Sequence, residues 1–199
     1  MKRTNELGSF YTPQDLADWI VRKIISQNTV HSVLEPSCGD GVFLASLYKM
    51  LSTSPQATVV DIDKDATAKV RKKFPEINVI TSDFLFLDVK KKFDLVIGNP
   101  PYISKKNILL PQVEQCRKIH TKNGLKDQEV SNIWTAFLIK SCSLVKSSGI
   151  LSFVLPAEFL QVKYAQEIRD FIVHNFERVE ILSFRNFRFE DTEQNTIVL

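Results

Sequence analysis

The sequence predicts an α/β fold in which a mostly parallel central sheet carries helices on both faces. Three observations lead there. Short apolar segments alternate with amphipathic ones, in the order strand, helix, strand, helix, over most of the chain. The strand segments are mostly unalternated, as strands buried on both faces are. Residue types with chemistry to offer collect just beyond four of them, where ligands sit in open parallel sheets.

The elements follow in order. Tyr11, Thr12 and Pro13 open the first helix, with Thr12 as N-cap, Pro13 at the first helical position and Asp15 at capping-box spacing. Leu16, Ile20 and Ile24 then recur on one face. "SVLEP" at 32–36 is a strand closed by Pro36, and "SCGDGVFLASLYKML" is a glycine turn entering a helix. "ATVVDID" is the second strand, "KDATAKVRKKF" a helix ended by Pro75, and "INVITSD" the third strand. The fourth is "FDLVIGNPPY" at 93–102. Its Phe93, Leu95 and Ile97 share a face, and Pro100 and Pro101 stop it at Gly98 or Asn99. From Ile103 to about Gln128 no period holds, which predicts a long functional or mobile loop. "SNIWTAFLIKSCSLVKSSG" is a helix, with Ile133, Phe137, Cys142 and Leu144 among its inward residues and Gly149 as its stop. "ILSFVLP" is a fifth strand, followed by a helix around 164–176 and the strands "RVEILSF" and "NTIVL".

Composition narrows the function classes. A chain of 199 residues, 44% hydrophobic and 25% charged, makes one generous globular domain. "MKRTNELGSF" has no apolar stretch of the kind a secretory signal needs, and "ILSFVL" is far too short to cross a bilayer. Cys38, Cys116 and Cys142 are odd in number and widely spaced, and His31, His120 and His174 are as scattered. Neither a disulfide framework nor a metal site is expected, and a reducing, cytoplasmic setting is. The net charge of +3 is small, but Lys105, Lys106, Arg117, Lys118, Lys122 and Lys126 crowd one segment against the single acid Glu114. Such an excess suits a phosphate backbone or, more simply, a solvated loop.

The strand ends sketch a ligand. Gly39 and Gly41 let backbone approach a small molecule, although the third glycine of a dinucleotide fingerprint is missing. Glu35 and Asp40 flank that turn and favour a cationic group over a pyrophosphate. Asp61 lies 20 residues beyond Gly41, the spacing at which an acid accepts from ribose hydroxyls, with Asp63 as competitor. Asp83 beside Phe84 could take an exocyclic amine, or simply cap a helix. An adenosine with a cationic amino-acid tail is S-adenosylmethionine.

"NPPY" after an apolar strand, with "VLEPSCGDG" and "FYTP" upstream, resembles the DNA adenine-N6 methyltransferases of restriction–modification systems. The similarity is to the group whose "TP" segment precedes the cofactor loop, and it spans Phe10 to Leu199. It implies a Rossmann-like S-adenosylmethionine-dependent methyltransferase domain acting on a base flipped out of double-stranded DNA. It also implies cofactor contacts from Thr12, Glu35, Cys38, Gly39, Gly41, Asp61, Ile62, Asp83, Phe84 and Asn99. Asn99, Pro100, Pro101 and Tyr102 would form the catalytic tip, with Lys105 and Lys106 toward DNA. Phe189, or Phe187, would stack on the target base.

That chemistry needs such a tip. An adenine amino nitrogen is a poor nucleophile because its lone pair is delocalised into the ring. Asn99 Oδ1 and the Pro100 carbonyl can accept its two hydrogens and turn the lone pair toward the methyl group, with Tyr102 as a stacking face. No metal or covalent nucleophile is required. Family members normally continue into a domain that reads DNA sequence, so the expectation is one catalytic domain over 1–199, with recognition supplied by another domain or subunit. Two other readings share these residues: a protein glutamine or RNA methyltransferase with the same tip, and a non-catalytic subunit binding cofactor or DNA within a modification complex.

Overall fold

The apolar strand segments assemble as their composition demands. The computed structural model describes residues 12–126, 130–188 and 195–199, with backbone only for 184–188 and 195. Its elements are α1 (Gln14–Ile25), β1 (Ser32–Glu35), α2 (Val42–Met50), β2 (Gln56–Asp61), α3 (Lys64–Lys73), β3 (Asn78–Thr81) and β4 (Phe93–Gly98). Then come α4 (Leu110–Lys122), α5 (Trp134–Cys142), β5 (Val145–Pro156), α6 (Gln166–Asn175), β6 (Leu182–Arg188) and β7 (Asn195–Val198). The seven strands form one mostly parallel sheet in the order β3-β2-β1-β4-β5-β7-β6. The expected α/β class is therefore correct. No helix among the described residues is long and apolar enough to cross a membrane.

The chain divides into two compact units, one of Tyr11–Asn99 with Ser143–Ser152, the other of Pro100–Cys142 with Phe153–Leu199. In the first, β1 pairs in parallel with β2 (Val33↔Ala57) and with β4 (Val33↔Leu95), and β2 with β3 (Val59↔Val79). Buried Cys38, Leu44, Ala57, Val59 and Val70 form a core under α2 and α3, to which Tyr48 and Phe74 add a tilted ring pair. Helix α1 buries Leu16, Ile20 and Ile24, as their period requires, and is tied to α2 by Asp18. The Asp18 carboxylate accepts from Gln14, Ser46 and Lys49 at 2.7–2.9 Å. These bonds, led by that from Lys49, hold its pKa at about 2.

In the second unit Trp134 is fully buried and meets Phe159 edge-on at 5.8 Å. The end of β5 pairs antiparallel with β7 (Leu155↔Ile197), and β7 with β6 across a register shift between Ser183 and Arg188.

Three expectations fail. Helix α1 begins at Gln14 with Pro13 at its cap, and Thr12 caps nothing, because its hydroxyl is used elsewhere. The segment expected to be a loop contains α4 and a short 3-10 turn, Lys105–Asn107. Helix α4 buries only Cys116, Ile119 and His120, a stripe too short to stand out among its charges. Gly149 does not stop a helix. It lies inside β5, where a Cβ would come within 2.9 Å of the Phe93 carbonyl and 3.0 Å of the Asp94 carbonyl. The close approach of β4 requires glycine there, and α5 ends earlier, at Cys142.

Candidate active site

The residues expected to hold a cofactor lie in the first unit, at or just beyond the carboxyl ends of β1, β2, β3 and β4. Strand β1 ends in Glu35, which is 1% exposed, and its Oε2 has no hydrogen-bond partner. Burial, then the charges of Asp40 and Asp61, push its carboxyl well above the usual range, although the Leu44 N–H favours the charged form. A buried carboxyl with one oxygen unpartnered, among other acids, is an arrangement that a cation completes.

Beyond it the chain makes a tight turn, with Gly41 N–H donating to the Cys38 carbonyl at 2.7 Å. Gly39 and Gly41 adopt φ of 51° and 75°, left-handed values that suit glycine. A Cβ on Gly41 would also stand 3.2 Å from Val70 Cγ2. The Cys38 thiol is 3% exposed and its pKa is strongly raised, chiefly by burial, so the residue lines the turn without acting as a nucleophile.

Asp61 ends β2 and reaches back to this turn. Its Oδ2 accepts from Gly39 N–H at 2.8 Å and its Oδ1 from Asp63 N–H at 2.9 Å. Burial raises its pKa against those two bonds. The acid therefore fixes the glycine turn, and each oxygen keeps a further lone pair for a ligand. Its competitor is otherwise engaged: Asp63 caps α3, accepting from Asp65 and Ala66 N–H. Ile62, beside them, is 53% exposed and presents an apolar face. At the end of β3, Asp83 Oδ1 accepts from Leu85 N–H at 2.9 Å and caps the 3-10 turn Phe84–Phe86. Phe84 is 1% exposed and belongs to the core.

Strand β4 delivers Asn99. Its carbonyl accepts from Ser37 Oγ at 3.0 Å, and its Nδ2 donates to Thr12 Oγ1 at 3.3 Å. Thr12, Ser37 and Asn99 thus tie the start of α1, the β1–α2 turn and the end of β4 together. Ser37 was missed in the sequence, where its only signal is its place between Pro36 and the glycines. The boundary between the units falls directly after Asn99.

In the second unit Pro100 is buried and Pro101 and Tyr102 half-buried. Tyr102 Oη donates to the Val154 carbonyl of β5 at 3.0 Å, and burial raises its pKa far enough to keep the phenol protonated. Lys105 and Lys106 stand exposed on the 3-10 turn that follows. Phe189 lies outside the described residues, and Phe187 falls in β6 where only backbone is described.

With this geometry in hand, comparison with known families is decisive. The model of the Eco57I restriction-modification methylases matches residues 43–189. The chain belongs to that family. Among curated methylases it is similar to the type II methyltransferase M.HincII of Haemophilus influenzae, 30% identical over 97% of this chain and 36% of that protein. It is also similar to M.CvrRI of Paramecium bursaria Chlorella virus XZ-6E, 29% identical over 99% of this chain and 48% of that protein. The chain thus spans between about a third and a half of the length of these relatives.

Two solved structures share the fold. One is a class I S-adenosylmethionine-dependent methyltransferase of Listeria monocytogenes, with a TM-score of 0.75 and 18% identity over 93% of this chain and 57% of that one. The other is the DrdV–DNA complex, with a TM-score of 0.69 and 15% identity over 98% of this chain and 26% of that one. Membership of a methylase family on this fold makes S-adenosylmethionine the cofactor of the Eco57I-family chain. Its own residues suit that molecule, since buried Glu35, with Oε2 unpartnered and Asp40 and Asp61 nearby, matches a cationic tail, and exposed Ile62 matches a flat apolar base.

Proposed function

We propose that this chain is the catalytic part of a DNA adenine-N6 methyltransferase. The observation that carries the proposal is the pinning of Asn99 at the end of β4, through its carbonyl to Ser37 and its amide nitrogen to Thr12. A residue held through its backbone carbonyl and through the nitrogen of its side-chain amide is a preorganised partner for an amino group and need not reorganise during reaction. The cofactor supplies an electrophilic methyl group on a sulfonium. Glu35 and the glycine turn set by Asp61 receive its methionine end, Asp61 and Ile62 its ribose and base, and Asp83 its exocyclic amine. Asn99 Oδ1 and the Pro100 carbonyl accept the hydrogens of the target nitrogen, and the prolines keep those acceptors in place. Tyr102, fixed through its hydroxyl, offers a ring face to the extruded base. The substrate is double-stranded DNA, the names of the related type II methyltransferases point the same way, and sequence reading is supplied by a further domain or subunit.

The test is direct. Asn99→Ala should abolish transfer to DNA, with a supplied recognition domain if one is needed, while leaving cofactor binding within a few-fold of the starting protein. Digestion of the product and mass spectrometry should give N6-methyladenine. Methylated glutamine or guanine as the main product would overturn the assignment.

A further inference from the structure

We propose that Leu109 and Leu110 form an apolar wedge that enters the base stack of duplex DNA, between cations that meet its phosphates. The inference rests on the DNA substrate proposed above and concerns residues that the reaction itself does not use. Leu110 is 80% and Leu109 67% exposed, and Leu110 exceeds every other large apolar side chain among the described residues. Two adjacent leucines in water are not explained by packing, and scattered single ones would need no explanation.

They are also presented rigidly. Ile108, the residue before them, is 8% exposed and anchors the chain. Pro111 stiffens the first turn of α4, and Gln112 Oε1 accepts from the Leu109 N–H at 3.4 Å. The stretch leading to them is fixed to the segment before α5, with Lys105 N–H donating to Ser131 and Ile133 N–H to Ile103, both at 3.0 Å. The leucines follow Tyr102 by seven and eight residues within the same unit.

Their surroundings select the occupant. Lys105 and Lys106 precede the pair, and Arg117, Lys118 and Lys122 lie exposed on α4, against the single acid Glu114. An apolar tip preceded by two lysines and followed along α4 by three more cations is complementary to a polyanion with an apolar interior, and duplex DNA is one. Proteins that deform DNA insert such wedges between base steps and meet the phosphates on either side with basic side chains. Filling the space an extruded base leaves would favour the open state of the duplex.

Titration of the 199-residue chain by fluorescence polarisation, at several salt concentrations, separates the contributions. The probes are a plain duplex and the same duplex with one abasic site. The protein as described should prefer the abasic duplex, where the stack is already open. Leu109→Ser with Leu110→Ser should weaken binding about tenfold or more, given the apolar area lost. It should erase the abasic preference and leave the slope of affinity against salt unchanged, because no cation is removed. Both leucines are on the surface, so an unchanged circular dichroism melt is expected alongside.

Wild-type affinity and abasic preference in the leucine variant would overturn the wedge and leave the methylation reading standing. Failure of the starting protein to bind either duplex would overturn the wedge, and the methylation reading would still be decided by product analysis with the recognition domain supplied. Loss of self-association, or of binding to anionic lipid vesicles, as the variant's sole effect would assign the leucines to a different partner and overturn the proposal.

Discussion

Glu35 places stability and binding in opposition. Burial and the charges of Asp40 and Asp61 push its carboxyl well above the usual range, so the folded chain binds that proton more tightly than the unfolded chain does. The raised value means that its contribution to stability is complete below the ordinary glutamate range and is lost as pH climbs from there through the folded-state value. Glu35→Gln should therefore raise the melting temperature of the cofactor-free protein at pH 8 and change it little at pH 4. A cofactor cation reverses the balance by favouring the carboxylate. Cofactor affinity should consequently rise with pH in the parent, and the glutamine variant should lose about tenfold or more, since hydrogen bonds to charged groups contribute about 1.5–3 kcal/mol. Calorimetry in two buffers of different ionisation enthalpy would show the released proton in the parent only.

Between single side chains and the sheet stands Asp94, which nothing in the sequence marked. Its Oδ2 accepts from Ser32 N–H and Ser32 Oγ at 2.8 Å and from His31 N–H at 3.2 Å, while its Oδ1 takes Lys146 Nζ at 2.8 Å. One carboxylate thereby joins the beginnings of β1, β4 and β5. Burial raises its pKa, but the Lys146 and Ser32 bonds together outweigh that and hold it at about 2. A lowered value means stability present above about pH 4 and lost as pH falls through about 2. Asp94→Ala should cost about 1.5–3 kcal/mol in urea at pH 7, and the difference from the parent should vanish near pH 2. Contacts of this sort, made by residues 62 and 52 positions apart, leave no local trace in a sequence. The strands did leave one, because burial on both faces forces unbroken apolar runs. The glycine turn and the tip were also legible, since Gly39, Gly41, Pro100 and Pro101 each impose a backbone rule that few alternatives satisfy. Helix α4 and the early start of β5 were not, because neighbours rather than periodicity decide them.

Over the chain as a whole, charge is local. The formal net charge is only +3, yet the stretch from Lys105 to Lys122 is strongly basic. Lys126, just beyond it, already faces Glu167 at 3.4 Å and has less to give a phosphate. Phosphate contacts position a protein on DNA without reading sequence. Binding by this chain should therefore differ little among random duplexes and fall steeply with salt, by a log–log slope of about −0.9 for each phosphate neutralised. Replacing Lys105, Lys106, Lys118 and Lys122 by alanine should flatten that slope; equal slopes in the two proteins would move the phosphate contacts elsewhere.

If the tip acts on DNA bases as proposed, the bond between Asn99 and Thr12 bears on discrimination between keto and amino bases. An amide has a donating edge and an accepting edge, and it can present either one to a visitor. With Nδ2 turned to Thr12, the edge offered to a target is the accepting one. Adenine carries hydrogens to give there, whereas the keto oxygens of thymine and guanine would meet a like dipole. On the proposed reading, a threonine ahead of the first helix, 87 residues from the tip, thus bears on which bases the tip can address.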